Sequence, residues 1–258
     1  MEDTLNIALI QTSLIWQDPE ANRMQLKQRI DTISDSVDLV VLPEMFTTGF
    51  TMKPSECYDT MDGETIRWMK AIASGKNCAI TGSLVIREND KFYNRLVFVK
   101  PDGEIATYDK RHLFSLAGED EVYTSGNDRL LVEIKGFRIC PLVCYDLRFP
   151  AFSRNTEDFD VLLYVANWPL ERIPAWDALL KARAIENICY VVGVNRTGTD
   201  MSESEYPGHS QVFDYLGEIA LSAWENEGVF AICLEKKPLM KIREKLGFLN
   251  DRDDITVK

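Results

Sequence analysis

Several apolar runs in this chain end on side chains able to do acid–base or nucleophilic work. Glu44 follows "DLVVLP", Lys110 closes "GEIATYD", Cys144 follows "RICPLV", and Asn167 and Trp168 follow "DVLLYVA". A thiol with an unperturbed pKa of about 8.5 needs a neighbouring base or positive charge before it attacks a carbonyl carbon. A carboxylate can take that proton and return it to a departing amine. A lysine ammonium can favour the thiolate and, beside a backbone N–H, hold a developing oxyanion. Glu, Lys and Cys are therefore a full set for acyl transfer, with no histidine required. Taken singly, each has a plainer explanation. A strand-end cysteine is more often packing than chemistry, and a strand-end Glu or Lys is more often a solvated charge. Spacing alone does not bring the set together.

The elements that must position these residues can be read from the apolar pattern. "LNIALIQ", "DLVVLPE", "CAITGSLVI", "FRICPLVC", "DVLLYVAN" and "CYVVGVN" read as buried strands. Between them lie helices: "DPEANRMQLKQRIDTIS", with Asp18 as N-cap and Pro19 at its first position, "GETIRWMKAIASG", closed by Gly75, and "PAWDALLKARAIEN". "KFYNRLVFVKPDGEIATYDK" reads as a hairpin turning at Asp102-Gly103, and "RLLVEIKG" as a further strand. More strands are expected in "GHSQVFDYLGEIALSAWENEGVFAICLE", before a last helix near "PLMKIREKL". Strands that are apolar throughout, separated by helices, imply sheets covered by helices on their outer faces, an α/β layered fold in a single domain spanning 1–258. In such folds functional side chains collect where the strands run out, so the strand-end residues named above can share one pocket.

Composition narrows the function classes. A formal charge of -12 with a sequence pI near 4.8 argues against broad phosphate-backbone binding, hence against a nucleic-acid partner. The N-terminal "MEDTLNIALIQ" puts acid before its apolar run, the wrong polarity for a secretory signal, and no apolar stretch reaches the roughly 20 residues of a membrane span. The cysteines at 57, 78, 140, 144, 189 and 233 are scattered through a chain too long to need disulfide staples. Two histidines are too few for a convincing zinc site. The expectation is a cytoplasmic protein with neither metal nor organic cofactor.

Five blocks carry a resemblance to the nitrilase, or carbon–nitrogen hydrolase, superfamily: "LVVLPEMFTTGF", "YDKRHLF", "PLVCYDLRFP", "YVANWP" and "KARAIENICYVVGVNR". Their order and approximate spacing match the family over most of the chain. The resemblance implies a four-layer α-β-β-α sandwich, usually dimeric. It also implies a catalytic triad with Glu44 as base and acid, Lys110 as oxyanion donor and orienting group, and Cys144 as nucleophile. Many members carry a second glutamate beyond the lysine; Glu119 in "SLAGEDEVY" fits best, with Asp120 and Glu121 as alternatives. "DKRHLF" and "CYDLRFP" are most similar to the omega-amidases, which hydrolyse 2-oxoglutaramate. A nitrilase, an N-carbamoyl amine hydrolase and a non-catalytic thiol sensor are the other readings.

A small anionic amide needs local positive charge in an acidic protein. Arg148 either grips the substrate carboxylate or pairs with Asp146. Tyr145 is expected to lend its N–H to the oxyanion, and Phe114, Asn167 and Trp168 to line the pocket. His112 and His209 are read as structural, Arg183 and Glu186 as a salt bridge, Trp68 and Trp224 as packing residues, and the other five cysteines as small hydrophobes. A homodimer is expected, with the strand at 228–235 and the helix after it offering surface to bury. The tail at 248–258 is either a loose end or an arm across the dimer.

Overall fold

Strands apolar on both faces need cover on both, and two sheets packed together with helices outside supply it. The computed structural model describes residues 3–255. The first part of the chain runs β1 (Thr4–Gln11), α1 (Pro19–Asp31), β2 (Leu39–Val41), α2 (Pro54–Cys57), α3 (Glu64–Lys76), β3 (Ala79–Glu88), β4 (Lys91–Val99), β5 (Ile105–Asp109) and the single turn α4 (Glu119–Val122). The second continues with β6 (Val132–Ile134), β7 (Phe137–Val143), β8 (Val161–Ala166), α5 (Ile173–Asn187), β9 (Tyr190–Asn195), β10 (Thr197–Thr199) and β11 (Glu205–Pro207). It ends with β12 (Ser210–Phe213), β13 (Ile219–Trp224), β14 (Gly228–Glu235) and α6 (Lys236–Leu246).

Two six-stranded sheets form, in the orders β14-β1-β2-β3-β4-β5 and β13-β12-β9-β8-β7-β6. Their centres are parallel, β1-β2-β3 in one and β7-β8-β9 in the other. The period of two in β1 assigns its faces. Leu5, Ile7 and Leu9 enter the core between the sheets, which Phe137, Ile139 and Val143 share from the other side. Ala8 and Ile10 face outward, under Leu26 and Ile30 of α1 and Met69 of α3. On the far side Trp176, Leu180 and Ala184 of α5 cover the second sheet. This is the expected four-layer α-β-β-α sandwich. β1 is closed on its outer edge by β14, in antiparallel register from Thr4↔Glu235 to Gln11↔Gly228.

Asp18 caps α1 as expected, its Oδ1 accepting from the Ala21 N–H at 3.0 Å, with Pro19 in the first turn. Other expectations need correction. Gly75 lies inside α3; Asn77 ends that helix at φ 50, since asparagine tolerates the left-handed cap. β2 stops at Val41, because Pro43 has no N–H to continue the ladder. Glu44 therefore stands on a turn beyond the strand. β10 and β11 form an additional short hairpin. Cys233 is exposed and Cys57 only partly buried, so the small-hydrophobe reading holds for Cys78, Cys140 and Cys189. Trp224 is 51% exposed, at the end of an edge strand, and is not a core residue. Arg252 of the tail bonds to the Asn155 carbonyl at 2.9 Å and pairs with Asp158 at 2.8 Å on its own body; residues 256–258 lie outside the described residues.

Candidate active site

The turn after β2 lies across β3, and one bare strand position permits this. A Cβ on Gly82 would come within 2.7 Å of the Phe46 ring. The Met45 N–H donates to Ser83 Oγ at 2.9 Å, which anchors the turn that presents Glu44. Lys110 directly follows β5, and its N–H donates to the Asn94 carbonyl on β4 at 3.0 Å. Cys144 follows β7 and opens a 3₁₀ turn with φ 44, a left-handed backbone that a non-glycine residue adopts at a cost of about 1–3 kcal/mol. Asp146 holds that turn in place. Its carboxylate accepts from the Val143 N–H at 2.9 Å, the Tyr108 hydroxyl at 2.7 Å and the His112 N–H at 3.1 Å, and also bonds His112 Nδ1 at 2.7 Å.

These turns meet in one buried cluster. Lys110 Nζ donates to Glu44 Oε1 at 3.0 Å and to Glu119 Oε1 and Oε2 at 3.0 and 2.8 Å. All three side chains have 0% exposure. Asn94 Nδ2 spans the two carboxylates, at 2.8 Å from Glu44 and 3.1 Å from Glu119. The other Glu44 oxygen accepts the Asn167 N–H at 2.8 Å, while Asn167 Nδ2 donates to the Glu44 carbonyl at 2.7 Å. Asn167 follows β8, so these bonds tie the two sheets together at the site. Cys144 Sγ lies 3.9 Å from the Asn167 carbonyl. Of the three acids offered by the sequence, Glu119 is the one in the cluster; Asp120 and Glu121 face solvent.

The electrostatics follow from sealing two carboxylates and one ammonium away from water. Burial opposes the charge on Lys110, but Glu119 and then Glu44 outweigh it and hold its pKa above the ordinary lysine value. Burial pushes the Glu119 carboxyl up; Lys110 pulls it down, and Glu44 adds to the rise. Cys144 is only partly covered by surface measure, yet the protein packed around its sulfur dominates. Burial first and Glu44 second push its thiol well above the usual range, and Lys110 does not reverse this. The lysine was expected to lower the thiol pKa, and it does act in that direction. Burial and the Glu44 carboxylate nonetheless favour the protonated thiol over the thiolate.

Cys144 and Lys110 open onto a cavity of about 560 Å³, also lined by Tyr145, Arg148, Phe114, Asn167 and Trp168. Every pocket residue proposed from the sequence is thus in the wall. Arg148 does not pair with Asp146, whose oxygens are occupied as described. Its guanidinium lies 5.0 Å over the Trp168 ring. His112 stacks on Phe149 at 3.7 Å between ring centres, and His209 pairs with Asp177 at 3.2 Å, both outside the thiol cluster. Arg183 pairs with Glu186 at 3.0 Å, and Trp68 packs on Phe46 at 6.0 Å. Sequence reasoning missed Asn94, Asp146 and Arg172, the last a second arginine in the cavity wall. Asn94 carried one usable signal, a polar residue at a buried position within an apolar strand.

The description carbon-nitrogen hydrolase belongs to the family model that matches residues 6–234. The chain is 43% identical to "Omega-amidase YafV" of Yersinia enterocolitica, over 97% of each chain. It is 32% identical to "2-oxoglutaramate amidase" of Bacillus subtilis, over 95% of this chain and 96% of that one. The crystal structure of XC1258 from Xanthomonas campestris, a CN-hydrolase superfamily protein with an arsenic adduct in its active site, superimposes with a TM-score of 0.97. The two chains are 42% identical, over 99% of each.

Proposed function

Since this chain belongs to the carbon–nitrogen hydrolase family and is a cysteine-dependent, amide-hydrolysing enzyme, we propose that it removes the terminal amide of a short carboxylate-bearing substrate. The leading candidate is 2-oxoglutaramate, giving 2-oxoglutarate and ammonia. The observation carrying this reading is Arg148, a guanidinium with no carboxylate partner among the described residues, in the same cavity as the Cys144 thiol and the Lys110 ammonium. One end of the cavity offers a nucleophile; elsewhere the wall offers a cation to an anion from outside.

In the proposed mechanism the Cys144 sulfur bonds to the amide carbon as its proton passes to Glu44. The oxyanion rests on Lys110 Nζ and the Tyr145 N–H. The C–N bond breaks as Glu44 returns the proton, and ammonia leaves a thioester on Cys144. Glu44 then takes a proton from water, hydroxide adds to the thioester carbon, and the proton goes back to sulfur as the acid departs. Glu119 stays beside Lys110 and keeps it charged. Asn94 and Asn167 fix the Glu44 carboxylate.

Ammonia release across a panel of 2-oxoglutaramate, a neutral short-chain amide, a nitrile and an N-carbamoyl amine tests the reading. Activity confined to the nitrile or the carbamoyl compound would move the enzyme to one of those branches. Arg148→Ala is expected to lower kcat/KM for 2-oxoglutaramate by about tenfold to a hundredfold and to affect the neutral amide far less, as for a lost charge-assisted pair. Equal losses on both substrates would assign Arg148 to structure.

We also propose a homodimer in a reducing cytoplasm. All six cysteines are free, and among the described residues no helix is long and apolar enough to cross a membrane. β14 is an edge strand with a partly exposed apolar face, suited to burial against a second copy. Light scattering at micromolar concentration should return twice the 29.5 kDa chain mass. A value near the single-chain mass would overturn the dimer.

A further inference from the structure

Arg172 lines the same cavity as Arg148, and among the described residues it too holds no carboxylate. Its guanidinium lies 5.2 Å over the Phe114 ring. Its carbonyl accepts the Trp168 indole N–H at 2.8 Å, which pins the backbone at the start of α5. The two rings that carry the arginines are each hitched to one carboxylate of the cluster. The Phe114 N–H donates to Glu119 Oε2 at 2.6 Å, and Trp168 directly follows Asn167, whose N–H donates to Glu44. Both guanidiniums are thus referenced to the reacting atoms through short, rigid connections.

Among the described residues neither Arg148 nor Arg172 forms an ion pair, in a chain with 41 acidic and 29 basic residues. Elsewhere Arg95 holds Asp109 and Glu88, Arg129 holds Glu157, and Arg243 holds Asp160. The other charged groups in the cavity wall do not neutralise the pair. Lys53 is a further cation at the exposed rim, 3.6 Å from Glu56. Asp200 is already committed: its carboxylate accepts from the Ser202 N–H at 2.8 Å, the Ser204 N–H at 3.1 Å and the Tyr206 hydroxyl at 2.8 Å. Among the described residues of the wall the cations Lys53, Lys110, Arg148 and Arg172 outnumber the one carboxylate, Asp200.

We propose that Arg172 is a specificity residue which, with Arg148, accepts a carboxylate flanked by an oxo oxygen and repels a carboxylate flanked by an ammonium. The inference rests on the amidase reading above and names how that site chooses among acids of one length. An oxo oxygen accepts a hydrogen bond from a guanidinium. An ammonium at the same carbon offers only donors and like charge, so a 2-oxo acid amide is favoured and the corresponding amino acid is rejected.

The test uses three amides of equal length: 2-oxoglutaramate, glutaramate and glutamine. They carry an oxo group, a methylene and an ammonium at the same carbon. Arg172→Met keeps an apolar stem over Phe114 and removes the charge. It is expected to lower kcat/KM on 2-oxoglutaramate by about tenfold to a hundredfold, chiefly through KM. Glutaramate should lose less, and the preference for glutaramate over glutamine should narrow. Arg172→Lys, which restores a cation, should recover part of both preferences. Parallel losses on all three amides, or no change, would overturn the proposal. A wild-type enzyme that ignored 2-oxoglutaramate would sink the substrate assignment separately. The glutaramate-to-glutamine ratio would still decide Arg172, upheld if Arg172→Met narrows it and overturned if it does not.

Discussion

Replacing Cys144 by alanine is expected to abolish ammonia release, a fall of at least about a thousandfold, with the fold retained. The substitution removes one sulfur at a partly covered position, worth on the order of 1 kcal/mol in packing, and leaves the β7 turn and its Asp146 anchor in place. Cys144→Ser should be almost as inactive. Burial and Glu44 already push the thiol pKa up, so a hydroxyl, with a far higher intrinsic pKa, would give Glu44 a proton it removes still less readily. Mass spectrometry of the wild-type enzyme during turnover should find an acyl adduct on this cysteine and on no other. A Cys144→Ala enzyme with normal turnover, at unchanged melting temperature, would take the nucleophile away from this residue.

Lys110→Arg is expected to cost on the order of a hundredfold or more in kcat, as for the loss of an oxyanion-hole donor. Charge is kept, so the variant separates charge from shape. Lys110 Nζ is a point donor shared between Glu44 and Glu119, with the Phe50 ring 5.4 Å away. A planar guanidinium is wider and presents its donors in a fork, which this sealed volume does not accommodate without shifting a carboxylate. An uncharged replacement would be less informative. Two buried carboxylates would lose their cation, and breaking a buried pair costs about 3–5 kcal/mol in stability. Near-normal kcat in Lys110→Arg would show that positive charge alone suffices, or that the oxyanion is held elsewhere.

Much of this site could be read from sequence because strand ends carry both the pattern and the chemistry. Glu44, Lys110 and Cys144 each terminate an apolar run, and parallel strands put such ends on one edge. What could not be read was set by pairing across the sheets. Asn94 reaches both glutamates only because β4 pairs with β5, bringing Arg95 opposite Asp109 next to Lys110. Asp146 looked like a partner for Arg148, two residues on, and instead spends its oxygens on Val143, Tyr108 and His112. The mistaken closure of α3 at Gly75 is of another kind. Glycine is the commoner left-handed cap, but the chain turned at Asn77, and Gly75 stayed in the last turn of the helix. Lys110 does lower the thiol pKa, as read from the sequence, but burial and Glu44, which a pairwise view leaves out, outweigh it.

The pairing of β1 with β14 has a consequence for how the molecule is made. β1 emerges from the ribosome well before β14, the strand that closes its outer edge, because Gln11 and its partner Gly228 are far apart along the chain. At about 5–20 residues per second, that interval is on the order of ten seconds or more. Throughout it, a row of apolar residues, with its amide groups open along one side, is a template for strands of other nascent chains. The hazard belongs to the ribosome-bound chain and disappears once β14 docks. Yield in a heterologous host should therefore depend on translation speed and chaperone supply more than on the thermal stability of the finished enzyme.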